Sequence, residues 1–268
     1  MLQTLFENLA LQIIFCFGII SVLGLIIWRL NKTFFRILGY KRGKKLFLTT
    51  GFIGVPIHEF GHAFFCVLFR HKIKEIKWFQ PNATDGTLGY VRHAYNRKSI
   101  YQQIGNFFIG IGPLLFGSAA IVILMYILMP NASQVNFSGS TSVSGYWNSL
   151  WSVFRAIFDF SNYAYVTWWL FIVLACAIAM HMDLSMADIK GCLRGLMYIV
   201  PLMFVINLVL CLININWAAT VTRGCLWISI SVVSFMAIAI LLLCVLVLLS
   251  AIWMWVRRRA CTKRNLSS

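Results

Sequence analysis

The sequence predicts an all-α polytopic membrane protein of about six transmembrane helices, with a small β-hairpin at the membrane surface. Three observations carry that prediction. Of the 268 residues, 60% are hydrophobic and only 11% are charged, roughly half the charge of an ordinary soluble domain. Apolar runs of about 18 residues or more recur along the chain, each long enough to cross a hydrocarbon core of roughly 30 Å as a helix. In lipid every backbone N–H and C=O has to be satisfied within its own segment, so such runs are helices and not strands. The chain reads as one membrane-embedded domain, 1–268.

The runs follow in order. The first, 9–28, is expected to stay on the mature protein, because no basic segment precedes it and no small-residue cleavage site follows. A basic linker, 29–45, leads to the second run, 46–69. The polar stretch 70–105 does not read as helix: 73–79 and 87–95 are β-prone, and Pro81, Asn82, Asp85 and Gly86 between them supply turn chemistry. The third run is 107–129. The polar loop 130–162, rich in Ser, Gly and Asn, is expected on the extracytoplasmic side. The fourth run, 164–182, is followed by a short polar segment, 183–191, and then by the fifth, 196–215. The sixth, 226–256, is longer than a bilayer requires and is expected to tilt or emerge.

The net charge of +16 is distributed in a way that excludes nucleic acid as a partner. Seven cations lie in 29–45, seven in 70–98 and five in 257–264, all flanking apolar runs. Lys and Arg so placed set topology and touch the headgroups of the lipid bilayer. Strict alternation of six spans puts 70–98, Lys190, Arg194 and the basic tail on one face, read as cytoplasmic together with the C-terminus. The linker 29–45 then falls on the wrong side. The eight cysteines contain no C-x-x-C pair and imply no disulfide framework.

Few ionisable groups lie in or beside the apolar runs, and such groups are costly there without a partner or a purpose. His58, Glu59 and His62 form the pattern H-E-x-x-H. On a helix the two histidines share a face and can reach one metal ion, with Glu59 beside the metal-bound water as general base. A catalytic zinc takes three protein ligands and leaves a fourth position open. His181, Asp183 and Asp188 cluster at the end of the fourth run and are the candidates for the third ligand; 181 and 188 are two helical turns apart. Asn106, Gly110, Gly112 and Pro113 in the third run are candidates to line a polar cavity that holds substrate. His71 and His93, in the polar stretch, read as ordinary surface residues. A metal transporter would spread ligands over several spans and show a repeat, which this sequence lacks. A non-catalytic metal- or partner-binding protein would have no need of Glu59.

The segment His58-Glu-Phe-Gly-His62 within an apolar run, the hairpin after it, Asn106 to Gly117 in the third run, and Leu184-Ser185-x-x-Asp188-Ile-Lys-Gly191 together resemble the site-2 protease family of intramembrane zinc metalloproteases. The similarity is to bacterial-type members without a PDZ domain and covers roughly 46–195. The resemblance implies one zinc per chain, completed by Asp188. It also implies a location in the bacterial plasma membrane and, as substrate, a membrane-protein or membrane-associated segment cut after local unwinding.

Overall fold

A computed structural model describes residues 2–82, 87–135 and 143–265. The turn expected at 81–86 falls largely outside the described residues, as does the middle of the loop 130–162. The element order is α1 (Leu2–Ile13), a short π-helical stretch (Ile14–Ile19), α2 (Ile20–Leu38), α3 (Tyr40–Leu68), β1 (Lys72–Lys77), β2 (Tyr90–Ala94), α4 (Ile100–Leu128), α5 (Val143–Phe158), α6 (Val166–Ala179), α7 (Met186–Ile213) and α8 (Ile215–Asn265).

Five of these stretches are long and apolar enough to cross a membrane: Leu2–Leu38, Tyr40–Leu68, Ile100–Leu128, Met186–Ile213 and Asn216–Arg257. This arrangement is compatible with a multi-pass membrane protein. The count differs from the six expected because the apolar run 164–182 does not make a full helix. Only the 14 residues Val166–Ala179 are helical; the chain then turns through 180–185 before α7 begins. α6 and α7 follow one another antiparallel along α4. Met182 meets Gly117, Cys192 meets Gly110, and Phe107 meets Gly195. The basic linker 29–45 is helical as well, joined to α3 at Gly39.

The principal core lies between α2, α3, α4, α6 and α8, and includes Ile27, Leu114, Ile121, Phe171, Met236 and Leu243. Many large apolar side chains instead face outward, among them Leu25, Val67, Ile127 and Leu249. An exposed apolar exterior on this scale is compatible with an apolar surrounding.

The hairpin folds back along α3. The register pairs Lys72 with Ala94 and Lys77 with Tyr90, and the strands carry Phe79 and Leu88 back to Gly51 and Gly89 to Val55 and Glu59. Apolar side chains on the hairpin find apolar partners on α3, which a position at the helix end would not offer. The basic clusters are also regrouped. Arg42, at the start of α3, reaches Met254 and lies over Trp253 of α8, so the tail sits with the cations of 29–45. Arg70 and Lys72, which follow directly on α3, lie at its opposite end.

Helices α3 and α4 cross in close contact. A methyl group on Gly112 would lie 2.7 Å from the carbonyl carbon of Gly61 and 3.2 Å from the amide nitrogen of His62. These are backbone atoms, which cannot step aside as a flexible side chain can. Gly112→Ala is therefore expected to lower stability in detergent by about 1–3 kcal/mol, measured by thermal or denaturant unfolding. Gly224→Ala, where a methyl meets nothing within 4 Å, is expected to leave stability unchanged or raise it by about 0.5–1 kcal/mol.

Candidate metal centre

His58 and His62 stand one turn apart on α3, so their rings project from one face. Each ring is anchored from behind. Nδ1 of His58 lies 2.7 Å from the carbonyl oxygen of His181, and Nδ1 of His62 lies 2.7 Å from the carbonyl oxygen of Ile109. A carbonyl oxygen only accepts, so both Nδ1 atoms donate, and in the neutral rings both Nε2 atoms present lone pairs. Those two Nε2 atoms face each other at 3.2 Å. Oδ1 of Asp188 lies 3.4 Å from Nε2 of His62, and the three ligand atoms all fall within 4.8 Å of one another. Three electron-rich atoms converging in this way repel unless a cation sits among them.

The two anchoring carbonyls are free for identifiable reasons. Pro113 has no N–H, so the carbonyl four residues before it, that of Ile109, loses its helical donor. His181 lies just past α6, where carbonyls have no partner within the helix. Asp188 is fixed by a capping box at the start of α7: its Oδ2 accepts from the Ser185 N–H at 2.8 Å, and the Ser185 hydroxyl accepts from the Asp188 N–H at 3.2 Å. One carboxylate oxygen starts the helix while the other faces the histidines. Two imidazoles and a carboxylate, with the rings oriented by outer hydrogen bonds, make a donor set suited to a divalent ion.

The other sequence candidates take different places. His181 gives only its carbonyl to the centre; its ring turns away, with Nε2 3.1 Å from the Thr50 hydroxyl and the ring 4.3 Å from that of Phe47. Asp183 lines two separate cavities, both shared with Trp28. Glu59 is 5% exposed and lines a cavity of about 340 Å³ together with His58, His62 and Asp188. Asn106 and Gly110 line the same cavity, as do Gly89, Tyr90 and Val91 of the hairpin region. Gly112 and Pro113 do not: Gly112 sets the helix crossing, and Pro113 acts through the carbonyl it frees. His71 and His93 are not ordinary surface residues. His71 is 5% exposed, and its Nδ1 lies 3.0 Å from Nδ1 of His93, which itself lines the cavity. Burial, and for His93 the neighbouring His71, lowers both pKa values, that of His93 to about 4. Sequence spacing offered no signal for this pair.

His62→Ala and Asp188→Asn are expected to lower the metal content of purified, zinc-equilibrated protein by about one ion per chain, while Asp183→Asn retains it. Pro113→Ala lets residue 113 compete for the Ile109 carbonyl, and is expected to weaken metal affinity by about 10–100-fold. Equilibrium dialysis with metal analysis reads both. Protein-family models, curated proteins and solved structures gave no match to this chain, so a functional reading rests on the geometry above.

Proposed function

We propose that this chain is an intramembrane zinc metalloprotease that hydrolyses peptide bonds in or next to the transmembrane segments of membrane-protein substrates. The observation that carries the reading is the presence of Glu59 in the same cavity as the three converging ligands. His58, His62 and Asp188 would hold the zinc. Zinc in such a site lowers the pKa of a water molecule and polarises a carbonyl group.

The chain's own groups supply the rest. Glu59, the residue after His58, accepts a proton from water on a carboxylate oxygen and returns it to the departing amine nitrogen. The hairpin region forms the facing wall. A Cβ on Gly89 would lie 3.0 Å from Oε1 of Glu59 and 2.6 Å from Cγ1 of Val55, so only glycine lets this segment lie directly against the base. Each strand of a two-stranded sheet keeps one unpaired edge, which suits an unwound substrate segment bound by strand addition.

The multi-pass architecture fits a bacterial plasma membrane. The tail carries five cations and 29–45 carries seven, against seven in 70–98. The excess favours a cytoplasmic C-terminus with the 29–45 cluster beside it. Trp253 lies beneath Arg42 and Arg257, and Trp255 beneath Arg259, aromatic–cation pairs of the kind found where a helix leaves the bilayer.

Reconstitution with a set of single-span reporter proteins tests the reading. Wild-type protein loaded with zinc is expected to cleave at least one reporter. Glu59→Gln is expected to keep its metal and lose at least about a hundred-fold in rate. Gly89→Ala, which displaces the base without touching a ligand, is expected to lose about 10–100-fold with metal content unchanged. Cleavage that persists in Glu59→Gln, or a fully loaded wild type that cuts none of the reporters, would sink the protease assignment.

A further inference from the structure

Beyond the catalytic cavity, a second group of ligand-type side chains converges at the end of α3. Cys66, His71 and His93 offer ligand atoms that all lie within 4.8 Å of one another. They come from three different pieces of the fold. Cys66 is in the last turn of α3, 0% exposed. His71 follows the helix end, and His93 lies on β2.

The backbone brings the first two together by a definite device. Arg70 adopts a left-handed conformation with φ of 56°, uncommon for a residue with a Cβ. The N–H of His71 donates to the carbonyl of Cys66 at 2.8 Å, and that of Arg70 to the carbonyl of Val67 at 3.0 Å. This pair of bonds is the Schellman closure of a helix end, here made without the usual glycine. The imidazole of His71 is then held on two sides. Its Nε2 donates to the carbonyl of Gln102 at 2.8 Å, and its ring stacks on Tyr95 with centroids 5.0 Å apart and planes 21° apart. With the proton on Nε2, Nδ1 of His71 presents a lone pair. Nδ1 of His93 lies 3.0 Å away.

We propose that Cys66, His71 and His93 form a second metal site, selective for zinc or another thiolate-preferring ion, that clamps the β-hairpin to the end of α3. The donor set is one thiolate and two imidazoles, a combination that takes zinc in a tetrahedral arrangement with one position left over. Around zinc, two imidazole nitrogens stand about 3.3 Å apart, close to the 3.0 Å separation in the structure. The proton balance is simple. When the ion enters, the thiol proton of Cys66 leaves to solvent, and the proton shared between the two Nδ1 atoms moves to Nε2 of His93. The ion would fix β2, whose Tyr90, Val91 and His93 line the catalytic cavity. The single zinc expected from sequence becomes two. This site shares no residue with His58, His62 and Asp188, and its existence does not require the protease reading.

Cobalt separates the two sites, because only the second contains a sulfur ligand. Chelator-treated full-length protein titrated with Co²⁺ is expected to bind about two ions per chain and to develop a thiolate-to-cobalt charge-transfer band in the near ultraviolet. His62→Ala is expected to keep the band and lose about one ion. Cys66→Ala and His93→Asn, the latter a change on the hairpin outside the helix, are each expected to lose the band and about one ion. A wild type that binds no cobalt, or binds it without the band, would overturn the proposal. So would a band of undiminished intensity in Cys66→Ala or in a folded His93→Asn.

Discussion

The contact between Gly61 and Gly112 is the constraint on which the rest of the structure depends. It brings the backbones of α3 and α4 together with no side chain between them. Only at that separation can the ring of His62 cross from one helix to the carbonyl of Ile109 on the other. That bond fixes which nitrogen carries the proton, and therefore where the lone pair of Nε2 points. Pro113 contributes from the same turn of α4 by leaving the carbonyl without a competing donor. Small residues where helices cross and a proline inside an apolar helix are common in membrane proteins for packing reasons. Here they also orient an imidazole of the candidate centre.

The break between α6 and α7 solves a related problem. An apolar stretch such as 164–182 forms a continuous helix unless tertiary contacts reward an interruption. Ending α6 early leaves the carbonyl of His181 outside the helical ladder, and it is taken up by His58. Starting α7 afresh creates unpaired N–H groups, and Ser185 and Asp188 take up two of them. Both ends of the break are thus satisfied by side chains that also build the centre.

What the sequence made legible follows the range of the interactions involved. The helical class and most apolar runs were readable because hydropathy is a local property. So were His58, Glu59 and His62, whose relation is fixed by one turn of helix. The residues alone left His181, Asp183 and Asp188 open as the third candidate ligand, and only the resemblance favoured Asp188; the convergence depends on where α6 ends, and apolar composition does not mark that point. The pairing of Cys66 with His71 was hidden by a helix terminus closed on Arg70 instead of glycine, and that of His71 with His93 by a strand register. Gly112 and Pro113 are conspicuous in an apolar run, but composition does not tell a cavity wall from a helix crossing, and the cavity is lined by Asn106 and Gly110 instead. The hairpin was recognised from its turn residues, whereas its course along α3 depended on contacts from Phe79 and Leu88 that composition cannot place.

Asp188 has one further consequence. Its two oxygens face two different partners, the N–H of Ser185 at the N-cap of α7 and the cluster of imidazoles. Any influence on one oxygen is therefore felt through the other. Loosening the first turn of α7 would release the carboxylate and lower the affinity of the centre for a cation. By reciprocity, a cation held there would tighten the start of a 28-residue helix by the same free energy. The junction behaves as a thermodynamic coupling, in which occupancy of the centre and order in the neighbouring helix cannot vary independently.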